Sequence, residues 1–325
     1  SLLTYKDAFP WAVSIKNRVL ALSMPPWFAD ERHGSFRHPS ALTAGELNAI
    51  VDWCLGGTPE GDPADARPAI PDSSGHSLEE PDLVLELPEP FVLPPDQAEA
   101  RHEATFSSGF ERDRLLKAVE FHPQSVNVVR SALVFVVPKG GKLASVQPIA
   151  SWLPGQAPET WPSGLGVLIL AGSSLVLRLH YEKTWLDDGK EVSDRSRVAL
   201  YFQEKESKPV ETVVVAAEKG ETIRAGRGGF ERIVVRPLSG RISILALLPR
   251  VEAPLDSLRA EALFPDGTTR TLIRLRWPEP DWPRKFWLEE PFPLPNGTRI
   301  RLTLAADREE SLRAAHALVL DAVRE

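Results

Sequence analysis

The residues of this chain with soft lone pairs for a transition metal are seven histidines, one methionine and one cysteine, most of them far apart. His180 lies in Ser173-Ser174-Leu175-Val176-Leu177-Arg178-Leu179-His180-Tyr181-Glu182, a strand-like run after a Gly-Ser turn signal. Leu175, Leu177 and Leu179 share one face, so Val176, Arg178 and His180 share the other. A strand histidine is ordinarily packed and hydrogen-bonded, and it does metal chemistry only if other ligands reach it. His122 precedes Pro123 in turn-like sequence, and His76 and His102 sit in loop-like sequence, so all three read as loop or surface residues. His316 reads as a strand or surface histidine. Met24, ahead of Pro25-Pro26, reads as an apolar plug at a rigid corner. Arg250 and Glu252, two residues apart, fall on one strand face, where a cation and an anion suit an ion pair better than a ligand set.

Other chemistries find less support. Gly226-Arg227-Gly228-Gly229 opens no helix and reads as a hairpin loop rather than a phosphate cradle. No serine stands in a nucleophile-elbow pattern. The acid pairs Glu79-Glu80 and Asp187-Asp188 lie in turn-rich sequence and read as solvated loop charge. Trp152 and Trp161 in one Pro-rich stretch, and Trp277, Trp282 and Trp287 near another, read as packing anchors.

The elements that must position these residues are mostly strands. Thirty prolines and many short β-branched runs predict a mainly β protein with ordered, Pro-rich connections. The expected architecture is two antiparallel, jelly-roll-like β-sandwiches in tandem behind a short α-helical N-terminal segment. The expected divisions are a helical segment 1–66, a Pro-rich linker 67–81, a first sandwich 82–208 and a second sandwich 209–325. In the first segment, Ala8, Trp11, Ala12, Ile15, Val19 and Leu22 keep helical spacing, and Thr43 with Glu46 forms a capping-box pattern before a second helix ending at Gly56. Strands are expected over 82–87, 116–121, 126–138, 166–170, 174–182 and 197–203. In the second sandwich they are expected over 210–217, 230–236, 241–248, 258–264, 269–275, 298–304 and 316–323. A net charge of −7 without a dense basic stripe argues against a nucleic-acid partner. No apolar run reaches membrane-spanning length, and a lone Cys54 excludes an intrachain disulfide framework. Met24 is the only methionine, so Ser1 reads as the start of a processed or partial product.

Several motifs together resemble a known family. They include Trp152-Leu153-Pro154-Gly155, Leu179-His180-Tyr181, Leu248-Pro249-Arg250-Val251-Glu252, Leu263-Phe264-Pro265-Asp266-Gly267-Thr268, Asp281-Trp282 and Leu294-Pro295-Asn296-Gly297-Thr298. The chain is similar in these to bacterial relatives of the copper type II, ascorbate-dependent monooxygenases, to which the peptidylglycine α-hydroxylating enzyme belongs. The resemblance implies a first copper held at the positions of His180, Arg130 and Ser131, and a second at those of Arg250, Glu252 and a C-terminal methionine. His180 is the sole ligand-type residue retained. A guanidinium offers a metal no lone pair, and no methionine follows Met24. Met24-Pro25-Pro26-Trp27 and Pro59-Glu60-Gly61-Asp62-Pro63 also resemble the back half of a small c-type cytochrome, which implies Met24 as a haem axial ligand if an attachment motif lies upstream.

The resulting expectation is a non-catalytic member of this family with neither copper nor haem in this chain. It would act as a binding, scaffold or electron-transfer-associated subunit with a protein partner, which a redox complex would supply. The resemblance places it in the periplasm or outside the cell. The alternatives are an active copper monooxygenase with a rearranged site, or the β part of a longer haem c protein.

Overall fold

The computed structural model describes residues 4–21, 23–24, 29–30, 33–37, 42–65, 78–107, 109–203, 207–217, 222–226 and 228–324. The chain is mainly β, with two sandwiches of antiparallel sheets and short N-terminal helices.

In the first sandwich, one sheet runs in the order Leu83–Glu86, Arg197–Phe202, Arg114–His122, Leu165–Ile169 and Lys208–Pro209, with Glu159–Thr160 added beside Arg114–His122. The facing sheet runs Glu99–Ser107, Ser174–Glu182, Val129–Val137 and Pro148–Trp152. Leu175, Leu177 and Leu179 point between these sheets and are buried with Leu116, Val134 and Leu200. That inward leucine ladder is what turns His180 outward, toward the second sandwich.

The second sandwich repeats the plan. One sheet runs Glu211–Ala216, Ala317–Arg324, Ile242–Arg250 and Phe286–Leu294, and the other runs Ile223–Gly226, Gly229–Pro237, Arg299–Ala306, Ser257–Leu263 and Thr269–Arg276. Its core gathers Ile244, Leu247, Leu258, Ile273, Leu302 and Leu320. The Pro265–Thr268 connection closes because Gly267 takes φ 86° and Asp266 Oδ1 accepts from the Thr268 amide at 2.9 Å. Leu245, Ala246 and Trp287 of the second sandwich join the apolar cluster of the first, so the two sandwiches pack on each other.

The N-terminal helices do not form one rod over the expected span. The helix Tyr5–Ala8, the 3₁₀ turn Phe9–Trp11 and the helix Ala12–Leu20 follow each other, with Pro10 inside the turn where it has no amide to bond. Thr43 caps the helix Ala44–Leu55 through a capping box with Glu46. Cys54 Sγ donates to the Ala12 carbonyl at 3.1 Å and ties this helix to the previous one. Between the helices Ala12–Leu20 and Ala44–Leu55 in the chain, Ala29 and Phe36 enter the core of the second sandwich, and Phe36 bridges to Leu288 like one residue of an added strand.

Several observed strands fall outside the expected ranges, and the two longest of them are Glu99–Ser107 and Phe286–Leu294. Glu99–Ser107 lies in sequence that reads as loop, because its outward residues are charged or polar and its inward ones include only Ala100, Ala104 and Phe106 as apolar. Phe286–Leu294 carries Pro291 and Pro293, which a sheet tolerates here because the strand lies at an edge. Two histidines move with such corrections. His102 is a strand residue stacked on Phe91, with centroids 4.6 Å apart, and burial holds its pKa below the usual value. His122 is not a surface turn residue; it is buried at the end of Arg114–His122, 3.5 Å from Glu120 Oε2.

Candidate functional site

A cleft of about 620 Å³ opens between the sandwiches. Its walls come from Glu99–Ser107, Val129–Val137 and Ser174–Glu182 on one side, and from Leu248 to Glu252 and the 279–283 loop on the other. Charged side chains of both signs face it, and each arginine has an acid. Arg178 Nε donates to Glu103 Oε1 at 2.7 Å, with its guanidinium 5.1 Å from the Phe135 ring centroid. Arg250 Nη2 donates to Glu252 Oε1 at 2.8 Å and Nη1 to Gln147 Oε1 at 2.6 Å. Arg101 bonds Asp281 and stands 3.4 Å from Glu99, and the Asp281 bond raises the guanidinium pKa further.

His180 belongs to this last group. Its Nε2 lies 3.1 Å from Glu99 Oε1 and its Nδ1 3.9 Å from Asp281 Oδ1. The ring is buried, and Nδ1 has no hydrogen-bond partner. Glu99 and His180 are cross-strand neighbours by sheet pairing, since Glu99 pairs with Glu182 and Arg101 with His180. Asp281 arrives from the other sandwich on a loop rich in prolines, Trp277 to Lys285. That loop starts strained, with Trp277 at φ 49°, and is pinned by the Trp277 amide on the Asp256 carbonyl at 2.9 Å. Sequence reasoning singled out His180, placed Asp281 only in a motif of the resemblance with no role at a site, and missed Glu99. No local spacing links them.

Ser131 pairs with His180 across adjacent strands and is buried, while Arg130 Nε stands 3.6 Å from Glu182 Oε2. His316 lies outside the cleft wall, with Nε2 2.7 Å from the Ser311 carbonyl and Nδ1 3.4 Å from the Glu252 amide. Burial lowers its pKa. Met24 has a side chain that is 41% exposed, and Pro25 to Phe28 lie outside the described residues, as do His76 and Arg227.

Copper of the implied kind does not fit these residues. A three-imidazole site would need nitrogen donors where Arg130 and Ser131 stand, and Arg130 is engaged with a carboxylate. At the second position both side chains are spent on one ion pair and on Gln147.

The dry end of the same interface holds a second polar group that sequence reasoning missed. Lys285 is fully enclosed, its Nζ 2.7 Å from Asp321 Oδ2 and 2.5 Å from the Ile149 carbonyl. The ammonium lies 5.3 Å from the Trp161 ring centroid and 5.5 Å from that of Trp287, and the two rings meet edge-to-face at 5.7 Å. Trp287 Nε1 donates to Glu159, which Ser151 Oγ also reaches at 3.3 Å. Burial raises the Glu159 pKa, against the opposing pull of Lys285.

No protein-family model and no curated protein matches the chain. Solved structures resemble it only distantly. PNGF-II is 10% identical over 73% of this chain and 65% of its own, with a TM-score of 0.31. An allantoicase is 11% identical over 67% of this chain and 77% of its own, with a TM-score of 0.25. The CBM22-1-CBM22-2 tandem domain of Xyn10C from Paenibacillus barcinonensis is 10% identical over 77% of this chain and all of its own, with a TM-score of 0.22. Likeness at this level carries no functional argument.

Proposed function

We propose that the protein is a non-catalytic binding subunit, built on the architecture of the copper type II monooxygenases it resembles, whose ligand seat is the cleft between the sandwiches. The observation that carries this reading is the state of Arg250 and Glu252. The positions where the resemblance implies metal-binding imidazoles hold a formed ion pair, with Gln147 closing the guanidinium from the first sandwich. Such a wall binds charge and hydrogen-bonding groups, and has no electron-transfer chemistry of its own. With Arg101, Arg178 and Arg250 facing Glu103, Glu252 and Asp281, the cleft suits a ligand carrying both signs of charge, such as an extended peptide segment of a protein partner.

The test has two arms. The full chain, given copper, ascorbate and a glycine-extended peptide, is expected to yield no hydroxylated product. Copper-dependent hydroxylation would overturn the non-catalytic reading. In the second arm, charged tripeptides are titrated while amide chemical shifts are followed, and shifts are expected to centre on residues 101, 178 and 250. Shifts scattered over the outer faces of the sandwiches, or none at millimolar peptide, would remove the cleft as the seat.

A further inference from the structure

The surroundings of His180 contain an unresolved hydrogen-bond problem. A neutral imidazole has one N–H donor and one lone pair. If Nε2 carries the proton, it donates to Glu99 Oε1 at 3.1 Å, and the Nδ1 lone pair then faces Asp281 Oδ1 at 3.9 Å. If Nδ1 carries it, the Nε2 lone pair faces Glu99 at hydrogen-bond distance. Either tautomer leaves an acceptor turned toward a carboxylate, with Nδ1 buried and unpartnered. A second ring proton would remove that conflict, and so would a cation held by one ring nitrogen and the two carboxylates.

We propose that Glu99, His180 and Asp281 form a binding site for a divalent first-row transition ion such as zinc, spanning the two sandwiches. One ligand atom from each residue lies within 4.8 Å of the others, close enough for small side-chain adjustments to bring them onto one ion. One nitrogen and two carboxylate oxygens are a borderline donor set, which favours zinc-type ions over magnesium or calcium. Glu99 is half-exposed and Asp281 about a third exposed, so the remaining coordination positions face the cleft. Asp281 is held by its Pro-rich loop, and the pairing of Glu99–Ser107 with Ser174–Glu182 places Glu99 beside His180. The ligand set is distinct from the one the resemblance implies, because neither carboxylate stands at an implied copper position. It goes beyond the binding role above and holds whatever else occupies the cleft.

Arg101 regulates the site. Its guanidinium bonds Asp281 and approaches Glu99, so the native chain carries a resident monocation beside the two acids. The side chain is more than half exposed and is free to swing into water when a dication arrives. Removing its charge is expected to tighten metal binding, the reverse of what loss of a ligand would do.

The experiment is calorimetric titration of the chelator-treated full chain with zinc sulfate, alongside Arg101→Gln, Asp281→Asn and His180→Gln. One saturable equivalent is expected in the native chain, about tenfold tighter in Arg101→Gln, and at least about tenfold weaker in Asp281→Asn and His180→Gln. Asp281→Asn alters a partly exposed loop residue, so it carries the test if His180→Gln fails to fold, and a shift of the His180 ring nitrogens on zinc addition reports the contact directly. Absence of saturable binding overturns the proposal. So does zinc binding that the Asp281 and His180 variants leave unchanged, or binding that appears only once Arg101 has been removed. A His180 ring that responds to protons and not to zinc also overturns it.

Discussion

The two ends of the interface between the sandwiches use the same residue types to opposite effect. At the dry end, Glu159, Lys285 and Asp321 are buried beneath Trp161 and Trp287, and each of these three charged groups has a polar partner from the other sandwich or from its own, while the Trp161 indole N–H has none. At the wet end, Glu99 and Arg101 keep about half their side-chain surface in water and Asp281 about a third, and a buried imidazole nitrogen is left without a partner. Charge without water holds the sandwiches together, because stranding any member is costly. Charge with water on one side costs little to rearrange and can exchange one partner for another. A binding function belongs at the second end.

Removing the ammonium should show this contrast at its largest. Lys285→Met is expected to destabilise the protein by about 3–5 kcal/mol in urea unfolding, since it leaves Asp321 and Glu159 buried without their cation. A loss under about 1 kcal/mol would mean that the dry end is not dry in solution.

The pH dependence of stability should carry two opposite signatures. Burial holds the Glu159 pKa above its usual value of 4.5. Between 4.5 and that raised value the unfolded carboxyl has lost its proton and the folded one has kept it, so stability falls as pH rises. Glu159→Gln should flatten that descent in urea midpoints measured from pH 4 upward. His316 works in the other sense: its folded pKa lies below 6.5, so the unfolded ring protonates first and stability is lost as pH drops through 6.5. His316→Gln should remove this part of the acid limb and leave the Glu159 part in place. Unchanged profiles in both variants would show that neither group titrates differently on folding.

The smallest effect is expected at the wet end. Arg250→Ala should cost about 1 kcal/mol or less, and its cost should shrink further in high salt, because the Arg250–Glu252 pair is partly exposed. A loss comparable with that of Lys285→Met would erase the distinction between the two ends.

Much of the fold was legible because its signals are local. The leucines at 175, 177 and 179 fix both the strand and the outward direction of His180, and Gly267 marks its turn by the φ it must adopt. The capping box at Thr43 and Glu46 is complete within four residues. The candidate site was legible only at His180, because its neighbours are set by register and by packing between sandwiches. Glu99 is 81 positions from His180, and Arg101 and Asp281 are 180 positions apart. The strand carrying Glu99 is hidden by its own chemistry: a strand whose solvent side is Glu, Arg and Glu has little apolar signal to reveal it. Lys285 was passed over for a related reason. A lysine among prolines reads as solvated, and only the approach of Asp321 and two tryptophans makes it internal.

The seating of the early chain against Trp287 to Glu289 sets an order of events during synthesis. The Arg37 amide bonds the Trp287 carbonyl at 2.8 Å, the Glu289 amide bonds the Ser35 carbonyl at 3.0 Å, and Phe36 closes the bridge to Leu288 between them. A ribosome delivers these partners about 250 residues apart, which at about 5–20 residues per second is a delay of roughly 10–50 s. The first sandwich is complete in sequence well before then, so the residues around Phe36 wait, unpaired, while a whole domain folds beside them. Their docking is a late step that can close only over an already formed edge strand. In a nascent chain it would report that the second sandwich has finished.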